Sequence, residues 1–404
     1  MTLNEMPIFE VWGAFAHSLF HSPWRLFMLM YCALGYLLAL VLVRCSIIVA
    51  HRWEVLARPS ERGSHDYPTP RLGGAGIAAA FYFILLFSTD VLADRYDLPP
   101  APWLAAVVIG GAYAFVGGLL DDILELNPRW KFLFQFAAAG TAVMAGFTHN
   151  IFTLPLGGAF AGEAGTVIMP HWMGGVFTFV FIIFMMNAYN FMDGMDGQAA
   201  TFGAITCFSL TLFIAAGGFA AGIGELLSLA SLCGALLALL YFNHAGKSPD
   251  SKTFMGDGGS QFVGYLLAVY CLHLETATRG VFTFITALIL ISPFLWDVCF
   301  TLARRIMRGE NILEAHRSHL YQRLLIAGWS HGRVMRLNIV LWVACALLAQ
   351  LYSVAGQLNR HWVQIAALTG CLILLILYTL YVHAVERARR RETHQEIMAP
   401  ITST

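Results

Sequence analysis

Charge is what this sequence has least of. Only 12% of its 404 residues are Asp, Glu, Lys or Arg, against about 25% in a soluble domain. Apolar residues make up 58%. That shortage excludes a water-soluble globule and a disordered chain. Net charge is missing too. The 24 basic residues balance 24 acidic ones, so no overall field draws in nucleic acid. The eight cysteines include no C-x-x-C pair and all fall in apolar runs. Neither a disulfide framework nor a zinc site is expected from them. No repeat and no low-complexity linker divides the chain, so residues 1–404 are expected to form one integral membrane domain.

Long apolar runs are present instead. A stretch of about 20 apolar residues crosses a bilayer as a helix. Eleven occur: 26–50, 72–92, 103–120, 132–147, 173–191, 199–217, 222–242, 260–275, 282–303, 337–355 and 362–384. The expected fold is all-α and polytopic. The first run is too long for a signal-peptide core and lacks a small-residue cleavage site after it, so it is expected to stay as a span. Lys and Arg set the sidedness. Loops after odd-numbered runs, with the C-terminal tail, carry 19 of them, and the opposite side carries 4. This predicts a periplasmic N-terminus, a cytoplasmic C-terminus, a large cytoplasmic loop at 304–336 and a basic cytoplasmic tail at 385–404. On the periplasmic side, 151–156 and 165–170 read as the arms of a small β-hairpin.

Unusual polar residues gather on the predicted cytoplasmic side. They are "SHDYPTPRLGG" (64–74), "GGLLDD" with Asp121 and Asp122, Lys131, "NAYNFMDGMDG" (187–197), "FMGDGGS" (254–260) and "EAHRSHLYQRL" (314–324). Carboxylates at membrane-helix ends are often only solvated ends. Asp121 and Asp122, however, adjoin each other at the negative end of a helix dipole, a placement that costs about 0.3–1 kcal/mol per charge. A metal ion or cationic partner would remove that cost. Asp257 suits the positive start of a helix, where Ser260 could cap. With Gly256, Gly258 and Gly259 around it, the same place could instead offer open N–H groups to a phosphate. Asn187, Asn190, Asp193 and Asp196 recur every third position at one helix exit, and intramembrane polar groups point to function. His316 and His319 have metal spacing or could lie on lipid headgroups. With Arg317 between them and Arg304, Arg305 and Arg308 upstream, phosphate binding is the preferred reading. His331 and Arg333 are assigned to a solvated face, and Asp297 to a structural bond with a neighbouring helix.

Carboxylates and amides are hard ligands for Mg²⁺ or Mn²⁺, and Mg²⁺ completes its shell with water and phosphate. Beside basic residues at a membrane face, that set suits phosphoryl transfer to a lipid. The motifs, in this order across residues 64–324, make the chain resemble the polyprenyl-phosphate N-acetylhexosamine-1-phosphate transferases, which include the phospho-MurNAc-pentapeptide translocase. The resemblance implies catalytic roles for Asp121, Asp122 and Asp257, and Mg²⁺ on Asp257 and Asn190. It implies substrate binding by Lys131, Asn187, Asn190, Asp193, Asp196, His316, Arg317 and His319. "HRSH" in place of a histidine triplet, and eleven spans rather than ten, favour the branch that starts O-antigen and related envelope glycans over the translocase reaction with UDP-MurNAc-pentapeptide.

The expected partners are a UDP-N-acetylhexosamine, polyprenyl phosphate, the bacterial inner membrane and a second copy of the chain, with no nucleic acid. The expected site faces the cytoplasm. Two rivals differ in class. A transporter or flippase should carry mid-span charges and paired halves, and a non-catalytic scaffold would not need Asp257 among three glycines.

Overall fold

Helices stand at each of the eleven apolar runs. The structure, a computed structural model, describes residues 24–57, 67–96, 102–155, 165–216, 222–244, 252–278, 280–311 and 316–398. The N-terminal segment, residues 64–66 of the first motif, the turn of the hairpin and the end of the basic tail lie outside the described residues.

The long helices are α1 (Trp24–Arg52), α2 (Gly73–Tyr96), α3 (Trp103–Leu124), α4 (Pro128–Met144), α5 (His171–Met192), α6 (Gln198–Ala216), α7 (Ile223–Phe242), α8 (Gly256–Ala277) and α9 (Phe284–Met307). A short α10 (Leu320–Ile326) precedes α11 (His331–Gln357) and α12 (His361–Met398). Eight of them, α1, α3, α5, α6, α7, α9, α11 and α12, are long and apolar enough to cross a membrane, and α2 contains a shorter apolar stretch, Gly73–Thr89. Large apolar side chains such as Phe83, Val180 and Leu377 are exposed on outer faces. In water such a surface would drive association, whereas lipid accepts it. The protein is a multi-pass membrane protein.

Helix α8 falls short of a span by composition because it carries Gln261, His273 and Glu275. It tolerates them because it runs through the centre of the bundle, against α2, α3 and α5. Close approach is built on glycine. A Cβ on Gly74 would collide with the backbone of Gly259, and one on Gly118 with the Asp257 carbonyl. Small residues of this kind let membrane helices meet backbone to backbone. Helix α3 contains a π-turn over Ala106–Gly110. Tyr265 and Tyr82 donate their hydroxyls to the Ala106 and Val108 carbonyls of that turn, at 2.8 and 3.0 Å, which locks α3 to α8 and α2.

Two small sheets complete the fold. Strands β1 (Leu56–Ala57) and β2 (Thr69–Pro70) pair antiparallel. Strands β3 (Ile151–Thr153) and β4 (Thr166–Ile168) form the hairpin read from the sequence, with Ile151 opposite Ile168. All eight cysteines are free thiols.

Candidate active site

Two of the motifs are zipped together by their backbones. The Phe254 N–H donates to the Pro70 carbonyl at 2.8 Å. Gly73 and Gly74 in turn donate to Phe254 and Met255 at 3.0 and 2.8 Å. The pairing brings "PTPRLGG" alongside "FMGDGGS" and sets Gly256 at φ +74°, the left-handed region that glycine reaches without strain. Helix α8 starts there, and Asp257 lies in its first turn.

Asp122 holds that start in place. Its two carboxylate oxygens accept the N–H groups of Asp257 and Gly258, at 3.0 and 2.9 Å. A carboxylate at a helix N-terminus meets both the unpaired donors and the favourable end of the dipole. Those donors were the expected phosphate cradle, but a neighbouring helix already fills it. The glycines serve the packing of α2, α3 and α8 instead.

The Asp257 side chain points the other way, to a cluster. Its Oδ1 accepts from the Asn190 amide at 2.9 Å, and its Oδ2 lies 3.3 Å from Lys131 Nζ. Lys131 also pairs with Asp121, which takes the Leu126 N–H at 2.8 Å on its other oxygen. The left-handed turn at Glu125, φ +49°, makes that bond to Leu126 reachable. Asn190 spends its amide nitrogen on Asp257 and on Ser260 Oγ, 2.8 Å away.

Asp121, Asp122, Lys131 and Asp257 line a cavity of about 940 Å³. Asp193, Asp196, His316 and Arg317 face it too, as do Arg71, Asn243 and His331. Burial, and then the charges of Asp257, Asp122 and Asp196, hold the Asp193 carboxyl well above the ordinary carboxylate range. Asp196 pairs with Lys252 at 2.6 Å through one oxygen, and its other oxygen is buried with no hydrogen-bond partner. His316 is pushed down to about 4 by burial, and further by the charges of His319 and Arg305. It is therefore neutral near pH 7, and the fixed positive charge of this loop at the cavity belongs to Arg317.

Three expected site residues lie behind the cavity wall, and Asn190 holds Asp257 from there. Asn187 joins an amide chain with Gln135 and Gln261, at 2.8–3.1 Å, that ties α5 to α4 and α8. His319 is buried beneath His316, its ring 5.0 Å from that of His316. Asp297 supplies the structural bonds expected of it. It accepts the Leu320 N–H at 2.7 Å and lies 3.4 Å from His319 Nδ1, so it seats the start of α10. His331, assigned from the sequence to a solvated face, lines the cavity, while Arg333 stacks on Trp329 at 3.7 Å. Sequence reading passed over Lys252 and Asn243. The one available signal was that Lys252 stands just ahead of "TFMGDGG".

Among the described residues no three His, Cys, Asp or Glu side chains form a ready metal site. Mg²⁺ needs less, because it usually takes one or two carboxylates and leaves the rest to water and phosphate. The donors here are hard oxygens. Crowded carboxylates, one with an unpartnered buried oxygen and two already bridged by the Lys131 ammonium, call for added cationic charge. The residues fit such an ion.

A model of glycosyl transferase family 4 matches residues 104–275. The decaprenyl-phosphate N-acetylglucosaminephosphotransferase of Mycobacterium leprae (strain TN) is 31% identical over 313 residues, covering 73% of this chain and 76% of that protein. The probable undecaprenyl-phosphate N-acetylglucosaminyl 1-phosphate transferase of Bacillus subtilis (strain 168) is 29% identical over 283 residues, 70% of this chain and 73% of its own length. The undecaprenyl-phosphate alpha-N-acetylglucosaminyl 1-phosphate transferase of Yersinia pestis is 28% identical over 350 residues, 85% of this chain and 87% of its own.

Proposed function

Because this chain belongs to glycosyl transferase family 4, we propose that it transfers N-acetylglucosamine-1-phosphate from UDP-GlcNAc to undecaprenyl or a similar polyprenyl phosphate. UMP leaves, and the lipid-linked sugar starts an O-antigen or related envelope glycan. The observation that carries this reading is the convergence of Asp121 with Lys131, Asp193 with Asp196, Asp257, and His316 with Arg317, from four separate sequence motifs, on one cavity. The sugar is taken from the relatives' names.

A phosphate monoester has a second pKa of about 6, so the lipid phosphate is largely a dianion near neutral pH. It can attack the sugar-bearing phosphorus without a strong base. Both substrates are anions, and Arg71, Arg317 and Lys131 are the cations lining the cavity that would offset them. Lys131 also keeps Asp121 and Asp257 oriented. Asp257 and the oxygen of Asn190 would hold Mg²⁺, which when bound would neutralise diphosphate charge. Asp121 would position the lipid headgroup or take a residual proton.

UMP release from UDP-GlcNAc and lipid phosphate tests the substrate assignments. Arg317→Ala is expected to raise KM for the UDP-sugar, or lower kcat, about tenfold, with membrane insertion unchanged. Unchanged kinetics would return Arg317 to a headgroup contact, worth only about 1 kcal/mol.

The proposed orientation has eleven spans, the cavity on the cytoplasmic face of the inner membrane and the C-terminus in the cytoplasm. A reporter that fluoresces only in the cytoplasm, fused after Thr404, should light up. A dark but well-expressed fusion would overturn the orientation.

A further inference from the structure

Outside the cavity, at the same end of the bundle, a second group of cations gathers where α9, α10 and α12 meet. Arg323 of α10 is 96% buried by its 4% side-chain exposure. Its Nε donates to Glu386 at 2.7 Å and its Nη2 reaches His383 Nδ1 at 2.8 Å. Its Nη1 is buried with no partner, and so is Nε of Arg304 on α9. Arg304 lies within electrostatic range of Arg308 and Arg323, and His383 within range of Arg387. Counting Arg305, which also pairs with Glu310, five arginines share two carboxylates among the described residues, Glu386 and Glu310. Both Glu386 oxygens are already taken by Arg323. Glu310 lies 3.4 Å from Arg305 and 3.8 Å from Arg308, so neither arginine holds it tightly. None of the five arginines lines the candidate active site.

We propose that this corner is a binding site for the phosphate of an anionic phospholipid from the surrounding leaflet, distinct from the lipid substrate. Buried guanidinium N–H groups are normally satisfied, and a phosphate offers several acceptor oxygens with the forked geometry arginine prefers. Surroundings on the lipid side specify a lipid rather than a soluble anion. Ile306 and Met307 are exposed beside the arginines, at 62% and 79%. Trp296 and Phe300 stack along α9, and the Phe300 ring lies 6.1 Å from that of His383 on α12. An apolar wall therefore leads from the arginines toward the membrane interior, where acyl chains would lie. Arg304, Arg305 and Arg308 were read from the sequence as support for phosphate binding beside His316. For Arg304 and Arg308 the phosphate is a different one.

The test is lipid retention, and it does not depend on the reaction. The full chain is incubated with mixed phosphatidylglycerol and phosphatidylcholine vesicles, extracted, and its bound lipid counted by native mass spectrometry. Phosphatidylglycerol should be retained about tenfold over phosphatidylcholine, and Arg304→Gln with Arg308→Gln should bring the ratio near one. Arg308 is 58% exposed, so Arg308→Gln alone keeps the fold and should lower the ratio several-fold. UMP release should be unchanged in both variants. Equal preference in wild type and variants would overturn the site. Displacement of phosphatidylglycerol by excess inorganic phosphate would mark a soluble-anion site and overturn the lipid assignment. Displacement by polyprenyl phosphate would overturn its distinctness from the substrate.

Discussion

Replacing Asp257 by asparagine is expected to lower turnover by about two to three orders of magnitude while leaving the fold intact. The fold should survive because the bond that fixes the start of α8 runs from the Asp257 backbone N–H to Asp122 and does not use the side chain. Asparagine is also tolerated in this part of a helix. Turnover should fall because this carboxylate holds Lys131 on one oxygen and Asn190 on the other. It is also the proposed seat of Mg²⁺. The neutral amide lets Lys131 collapse onto Asp121 and removes the charge that a hard cation requires. Chelation by EDTA should abolish wild-type turnover, and Mg²⁺ or Mn²⁺ should restore it. Near-wild-type turnover of Asp257→Asn at low Mg²⁺ would move the metal-holding role to Asp121 and Asp122.

The second large effect concerns Asp122. Two mechanisms use it differently. In a covalent route an aspartate such as Asp122 would displace UMP before lipid phosphate binds. In direct attack it has no bond to make, and its geometry suits that idleness, since both oxygens are occupied by N–H groups of α8. Asp122→Ala should therefore act through the helix. It leaves two buried donors without partners, at about 1–3 kcal/mol each, and should lower thermal stability together with activity. With labelled UMP, unlabelled UDP-sugar, Mg²⁺ and protein stripped of lipid carrier, no label should enter UDP-sugar. Stripping matters because traces of carrier permit exchange by simple reversal. Exchange that persists after exhaustive stripping, and disappears in Asp122→Asn, would defeat direct attack.

The placement of the helices was legible in the sequence because apolar length is a local property, and so was the hairpin. The motif residues that meet at the cavity were legible as a set, through their order and their shared end of the bundle. What stayed hidden was tertiary. Asn187 and Asn190 share a helix, yet a spacing of three residues falls about 60° short of a full turn. Asn187 consequently faces Gln135 on α4 while Asn190 faces Asp257 on α8. Asp122 and Asp121 are neighbours, but one caps a helix 135 residues away and the other pairs with Lys131. Nothing in "DD" separates the two roles. His331 and Lys252 carry no periodic signal, and only the folding of the chain brings them near the cavity.

The most direct measurement is product formation by the purified chain in defined lipid. UDP-GlcNAc, undecaprenyl phosphate and Mg²⁺ are supplied together, UMP is quantified, and the lipid is weighed by mass spectrometry. The account predicts UMP and undecaprenyl-diphospho-N-acetylglucosamine in equal amounts, with none of either when lipid phosphate or divalent metal is withheld. UMP released without lipid phosphate, or a folded and metal-loaded protein that forms no lipid-linked sugar from any UDP-N-acetylhexosamine, would contradict it.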